Sequence, residues 1–393
     1  MTRLFVKTTV LLLAILASHL GSLSAQNPPP DVSTGEMPNP IGGRVEGFSG
    51  LGTRSGEFLS IPTSARGAAL GEAWTAAADD IGSIFWNPAG LGFLDGPSFQ
   101  FTNINLTLDF NYNYAAAAVP VKDGTAVVGG FFGMLTTNPI EITTLANPQG
   151  TGGYYDFYTS VMGGCLAYNI SDRFSAGAGI KWVHEDIYDI TSNAFSMDIG
   201  ANYHTEFHGR QLRFALAVQN IGTNMKYHGK QLFEELPPED EFGTQYGYGG
   251  LLHPERSKRY GMRQTTSFNL PTVFRIGLSY HLLETELHSL RVSGDFLQPN
   301  NVAVTWAAGA EYIRQLGDGY SVAGRFGWKF RPDEKDVKDE NGTMLSETPA
   351  LRGLSAGGGF GHDFAVFRLA VDYTYSHQGL LGSWQFITLN VSL

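Results

Sequence analysis

From about residue 97 to its C-terminus this chain alternates apolar and polar side chains with a period of two. No other feature restricts its fold as strongly. Leu212, Phe214, Leu216 and Val218 alternate with Arg213, Ala215, Ala217 and Gln219. Phe274, Ile276, Leu278, Tyr280 and Leu282 alternate with Arg275, Gly277, Ser279 and His281, and Phe367, Leu369, Val371, Tyr373 and Tyr375 with Arg368, Ala370, Asp372 and Thr374. An extended strand turns such a pattern into one apolar and one polar face; a helix cannot. The pattern predicts strands near 97–108, 111–120, 125–136, 156–168, 173–184, 194–204, 212–220, 271–282, 288–296, 302–313, 319–330, 351–361, 364–376 and 383–393. That is about fourteen segments of roughly nine to thirteen residues, the length a tilted strand needs to cross a bilayer.

The connections sharpen the reading. Lys122-Asp123-Gly124, Asn169 to Asp172, Leu316 to Gly319 and Gly361 to Asp363 read as tight turns, and longer links fall at 137–155, 185–193, 221–270 and 331–350. Short and long alternate as periplasmic turns and extracellular loops do in outer-membrane barrels, whereas a soluble sandwich has no reason to sort its loops this way. An even strand count places both ends of the barrel on the periplasmic side. The final segment, with Trp384 and Phe386 followed by Ile387, Leu389, Val391 and Leu393, alternates to the last residue. Such a closing strand resembles the signal read by the outer-membrane assembly machinery, with Leu where an aromatic is commoner. The predicted fold is therefore an all-β, transmembrane antiparallel β-barrel of about 14 strands.

Composition agrees. Charged residues make up 16% and aromatics 12%, with 49 glycines, a balance lean in charge and suited to a membrane barrel. A net charge of -11 makes nucleic acid a poor partner. The single cysteine, Cys165, forms no internal disulfide. No stretch of about 18 uncharged apolar residues follows the N-terminus, so helical spans are not expected. Residues 1–25 read as a signal peptide, with Arg3 and Lys7 before an apolar core from Val10 and Leu23-Ser24-Ala25 at the cleavage site. Residues 26–60 read as a flexible Pro/Gly/Ser-rich linker.

Residues 61–96 stand apart from both linker and strands. Ile61 to Leu91 is Ala- and Gly-rich and ends in Trp86-Asn87-Pro88-Ala89-Gly90. Ser64 is placed to cap a short helix carrying Ala68, Leu70, Ala73 and Trp74, broken up by Gly67 and Gly71. Asp79-Asp80 should then lead into an extended piece ending at the turn-forming Asn-Pro. Standing before the first strand, the segment is expected to form an N-terminal hatch to the barrel at 97–393.

The residues Ala65-Arg66-Gly67, Leu70-Gly71, Ala77 to Asp80 and Trp86-Asn87-Pro88-Ala89-Gly90-Leu91 together resemble the opening motif of the PorV/PorQ family, which belongs with the FadL-type outer-membrane transporters. The resemblance covers some thirty residues and implies a fourteen-stranded barrel with a hatch in its lumen. It implies one of two roles. PorV-like members work with the type IX secretion system, receiving exported proteins by their signal domains and passing them to a surface attachment complex. FadL-like members pass hydrophobic molecules across the outer membrane. The Ala65 to Leu91 motif joined to the long mixed-charge 221–270 loop favours the first; the second requires apolar side chains lining the lumen beside the hatch. Expected partners are outer-membrane lipid, exported signal domains and translocon or attachment components, and, in the second role, a hydrophobic ligand.

The candidate site residues follow. In the hatch they are Arg66, Asp79, Asp80, Trp86, Asn87 and Pro88. Asp79 and Asp80 have the form of an acid/base pair, but read better as partners of Arg66 or of a base on the barrel wall. Asn87 caps a turn that Pro88 stiffens, or shapes a ligand path. The polar strand faces carry Lys181, Arg213, Arg275, Arg291, Arg325, Lys329 and Arg368 against Asp198, Asp295, Glu311 and Asp372, the composition of a salt-bridged lumen that packs a hatch. In the 221–270 loop an acidic run, Glu234 to Glu241, precedes Phe242, Tyr246 and Tyr248 and a basic run at Arg256, Lys258 and Arg259, a Tyr-rich surface suited either to protein contact or to a lid. Gly353-Leu354-Ser355-Ala356-Gly357 matches a nucleophile elbow but sits in a strand pattern. His184-Glu185 lacks the second histidine of a zinc helix, and no phosphate loop is present. No enzymatic activity, cofactor or metal is expected.

Overall fold

A computed structural model describes residues 54–236, 259–263, 265–300, 304–330, 352–379 and 382–393. Fourteen antiparallel strands form one closed barrel: β1 Ser98–Asn105, β2 Asn111–Val121, β3 Ala126–Thr136, β4 Phe157–Ser171, β5 Phe174–Ile187, β6 Ile190–Phe207, β7 Arg210–Gly222, β8 Val273–Glu284, β9 His288–Pro299, β10 Thr305–Gly317, β11 Tyr320–Phe330, β12 Leu354–Asp363, β13 Arg368–His377 and β14 Ser383–Ser392. Each pairs with its sequence neighbours, and β1 closes on β14 in the register Ser98↔Ser392 to Asn105↔Gln385. Closure leaves no unpaired edge, which an open sheet in lipid would have.

The alternation does what the sequence requires. Phe214, Leu216, Ile276, Leu278, Phe326 and Ile387 point outward and are exposed, while their neighbours Arg213, Ala215, Arg275, Gly277, Arg325 and Thr388 point inward. An apolar exterior around a packed interior is the build of a barrel that sits in lipid. Closed antiparallel barrels of this form belong to the Gram-negative outer membrane. Among the described residues no helix is long and apolar enough to cross a membrane.

One end of the barrel carries only short connections, at 122–125, 172–173, 208–209, 285–287, 318–319 and 364–367. The other carries the long ones, 137–156, 223–272 and 331–353, together with short ones. One expected long link is absent: 185–193 is strand except for Tyr188-Asp189. Both residues adopt positive φ (47° and 64°), as the tightest hairpins need. The strict alternation of long and short was therefore wrong; one end is uniformly short and the other mixed. The expected turn at Gly361 to Asp363 falls instead at 364–367, where Phe364 and Phe367 stack with centroids 4.7 Å apart. A hairpin pairing Ile140–Glu141 with Tyr154–Tyr155 fills the first long loop, and Phe233–Leu236 pairs with Arg259–Met262 in the second.

Residues 54–96 occupy the lumen. Residues 54–60, inside what composition assigned to the linker, are packed here, with Phe58 and Leu59 buried.

Candidate functional site: a plugged lumen

The plug is built from short turns. A helix spans Ala65–Ala69; Ser64 precedes it with extended backbone but makes no side-chain cap. Gly71 and Glu72 take positive φ and end it, so Leu70, Ala73 and Trp74 lie beyond the helix expected to carry them. A single helical turn, Ser83–Trp86, and a 3-10 helix, Pro88–Phe93, replace the expected extended piece. Asn87 caps the second: its Oδ1 accepts from the Ala89 nitrogen at 3.1 Å, with Pro88 in the first helical position. The Asn87 amide also donates to the carbonyls of Thr75 and, across to the wall, Ala201.

Charge fastens this plug to one half of the wall. Arg66 Nη1 donates to Asp79 and Asp80 at 2.9 Å each, and its Nε donates to Glu311 of β10 at 2.7 Å. Glu311 also takes Arg291 of β9 at 2.5 Å and Arg325 of β11 at 2.7 Å; Arg325 continues to Asp372 of β13 at 2.6 Å. Asp79 faces Arg291 at 2.6 Å and Arg213 of β7 at 3.5 Å. Four guanidiniums thus meet four carboxylates, and the cluster is neutral once the plug's two are counted. The strand faces alone carry more bases than acids because the missing acids sit on the plug. Glu72 binds Lys329 and lies 3.8 Å from Arg275, and Lys181 pairs with Asp198 at 2.8 Å. Arg368 instead pairs with Asp363 in an exposed position at the short-turn end. The guanidiniums of Arg66 and Arg291 lie 4.6 and 5.0 Å from the ring centre of Trp74, and Arg275 lies 5.1 Å from that of Trp86.

Glycines let the backbones touch. A Cβ at Gly277 would lie 2.7 Å from the Ala76 nitrogen, one at Gly309 2.7 Å from Leu70, and one at Gly357 2.8 Å from the Ala69 Cβ. These wall positions accept the plug only because they have no side chain.

The other half of the lumen is apolar, which an alternating pattern with a polar inner face does not lead one to expect. Ile104 of β1, Tyr112 and Tyr114 of β2, Leu135 of β3, Val161 of β4 and Phe386 of β14 all point inward and are buried. They pack with Phe58, Leu59, Ile61 and Ile84 of the plug and with Met225 and Leu270 at the base of the longest loop. Phe58 meets Tyr112 edge-on at 6.2 Å, and Tyr114 stacks on Phe131 at 5.9 Å. A cavity beside Leu59, Thr63, Phe85 and Lys181 measures about 20 Å³, room for about one water. At the short-turn end a cleft of about 450 Å³ opens beside Gly92, Phe93, Asn169 and His204.

A hydrogen-bonded clamp closes the apolar half at the long-loop end. Glu185 of β5 accepts from the Gly56 nitrogen at 3.1 Å and from the Tyr227 hydroxyl, which lies 2.6 Å from the Ser55 Oγ. Burial, and then the carboxylate it donates to, push the Tyr227 phenol above its usual range, so it stays a donor. Met225 pairs with Phe268 across the loop base, folding it down over Phe58.

Arg66, Asp79, Asp80, Trp86, Asn87 and Pro88 are thus brought together with the wall. Phe242, Tyr246, Tyr248, Arg256 and Lys258 lie outside the described residues; Arg259 lies in the strand Arg259–Met262. Ser355 is on β12, facing the lumen, with its Oγ 2.7 Å from that of Ser376 and no strand-to-helix turn after it. Sequence reasoning missed the clamp and the inward aromatics. Tyr112 and Tyr114 two residues apart were the available sign, masked by the alanines that follow.

No family model and no curated protein matches the sequence. Among solved structures, the chain is similar to a FadL homologue of Pseudomonas aeruginosa at 13% identity, covering 84% of this chain and 98% of that one, with a TM-score of 0.46. It is similar to the toluene transporter TbuX of Ralstonia pickettii at 11% identity, covering 84% and 96%, with a TM-score of 0.47. The toluene transporter TodX of Pseudomonas putida follows at 8% identity, 84% and 96%, with a TM-score of 0.48.

Proposed function

We propose that this chain is a plugged outer-membrane channel for small hydrophobic molecules, with residues 54–96 as its gate. The observation that carries the reading is the apolar half-lumen shared by wall, plug and loop base. Inward-facing Ile104, Tyr112, Leu135 and Phe386 serve no purpose in a water-filled pore, and each is a receptor surface for a hydrophobe once the plug withdraws. The neutral charge cluster on the other half favours no charged solute. In the state described the apolar half is filled, so entry of cargo requires Phe58 and Leu59 to give way.

Surface delivery of exported proteins, the other role implied by the hatch motif, would act through the 221–270 loop, and no feature of the described residues favours it. The test is uptake of a hydrophobic fluorophore such as N-phenyl-1-naphthylamine by proteoliposomes. Saturable uptake that falls severalfold in the wall variant Ile104→Asn, but not in outward-facing Phe101→Tyr, is expected. Uptake no faster than in empty liposomes would end the proposal, and co-purification of exported proteins without a bound hydrophobe would favour the secretion role.

A further inference from the structure

The plug is tied at both mouths of the barrel. Its upstream end is tied to the long-loop end of the barrel. Arg54 pairs with Asn269 and donates to the Asn300 carbonyl at 3.1 Å, and Gly56 donates to Glu185, two residues before β5 ends. Its middle is tied to mid-strand residues: the Thr75 nitrogen donates to Asp295 at 2.8 Å, and the Ala65 nitrogen to Thr388 at 2.9 Å. Its downstream end reaches the short-turn end, where Asn169 donates to the Gly92 carbonyl at 3.0 Å and the Leu393 nitrogen donates to the Pro97 carbonyl at 2.9 Å.

We propose that the plug is threaded through the lumen from mouth to mouth, so that its upstream end, Arg54 to Glu57, faces the cell exterior while Asp95 to Pro97 face the periplasm. The inference rests on the membrane orientation of the proposed function, with long loops outside, but not on the cargo. Its consequence is mechanistic. The upstream end is fastened by Glu185 and Tyr227 at the outer mouth, where an arriving hydrophobe meets it first. The downstream end runs without a break into β1, so at the periplasmic mouth the plug is held by the chain itself. Opening is set from outside, by loosening the outer fastening.

Cysteine accessibility in whole cells tests this, in a Cys165→Ala background because Cys165 is the only native thiol. Glu57→Cys and Ser60→Cys, both at exposed positions of the upstream end, should react with a membrane-impermeant maleimide on intact cells. Asp95→Cys should react at least tenfold more after the outer membrane is permeabilised. Leu145→Cys in a long loop and Asp123→Cys in a short turn calibrate the two sides, and heat-modifiable migration on gels confirms that each variant is a folded barrel. If Leu145→Cys labels on intact cells while Glu57→Cys and Ser60→Cys label only after permeabilisation, threading is wrong. If Leu145→Cys itself labels only after permeabilisation, the orientation assumed for the proposed function is wrong, and this inference falls with it.

Discussion

Replacing Glu311 by Gln separates charge from packing in seating the plug. The carboxylate is about 1% exposed and accepts from Arg66 and Arg325 at 2.7 Å and Arg291 at 2.5 Å. Gln keeps the shape but turns an NH₂ toward three guanidiniums and leaves the cluster with one uncompensated positive charge. Breaking a buried ion pair from one side costs about 3–5 kcal/mol. Because each 1.4 kcal/mol is about a factor of ten, the unseated population should rise about 10²- to 10³-fold or slightly more. The assay is the rate at which Ser64→Cys, a buried and nearly isosteric change in the plug, reacts with a maleimide in the folded, detergent-solubilised protein. Where opening is faster than labelling, that rate follows the open population. Adding Arg325→Gln restores neutrality but takes the partner from Asp372, so it should recover only part of the effect. Asp363→Asn, which breaks only an exposed pair, should change the rate by less than about fivefold, as about 1 kcal/mol or less allows. A Glu311→Gln rate within threefold of the parent would refute the reasoning.

The two neighbouring carboxylates should differ: Asp79→Asn, which faces three guanidiniums, should raise Ser64→Cys labelling by at least tenfold more than Asp80→Asn, which faces Arg66 alone. Gly309→Val should cost about 3 kcal/mol by forcing Leu70 off the wall, lowering the temperature at which the heat-modifiable band is lost. Gly324→Val, with nothing within 4 Å, should be tolerated in the same assay. Tyr227→Phe removes the donor joining loop, plug and wall; at about 1.5–3 kcal/mol for a hydrogen bond to a charged group, it should speed labelling of a cysteine at buried Phe58 by about tenfold or more while leaving the melting of the barrel unchanged.

The barrel was legible because a period of two is a local property. Leu212 to Gln219 declare their two faces without reference to any other strand, and small polar turns such as Lys122-Asp123-Gly124 mark where direction reverses. The site was legible only in part. The pairing of Asp79 and Asp80 with Arg66 follows from having buried charges of both signs, but the partner strands do not, since Arg66 and Glu311 are joined by closure of the barrel. The 185–193 link was misread because Tyr188 and Asp189 lack the glycine that usually marks a two-residue turn. The apolar half-lumen escaped because Ile104 and Phe386 sit on inner rows that are otherwise largely polar (Ser98, Gln100 and Thr102; Thr388 and Asn390), while Tyr112 and Tyr114 alternate with Asn111 and Asn113, a pattern that reads as tyrosines facing lipid.

The seam between β1 and β14 closes onto the plug itself. Thr388 of β14 receives a hydrogen bond from the Ala65 nitrogen and lies 2.9 Å from the Thr102 hydroxyl of β1, and next to it Gln100 donates to the Thr63 carbonyl. Under the threading proposed above, a closed ring could take the plug in only by having one end pulled through it. The simplest order of assembly therefore sets the plug first, as a mandrel, and wraps the sheet around it until the last strand meets the first across Thr63 and Ala65. Disturbing those contacts should then slow biogenesis itself, leaving barrels that stall as open sheets at the assembly machinery instead of finished barrels that leak.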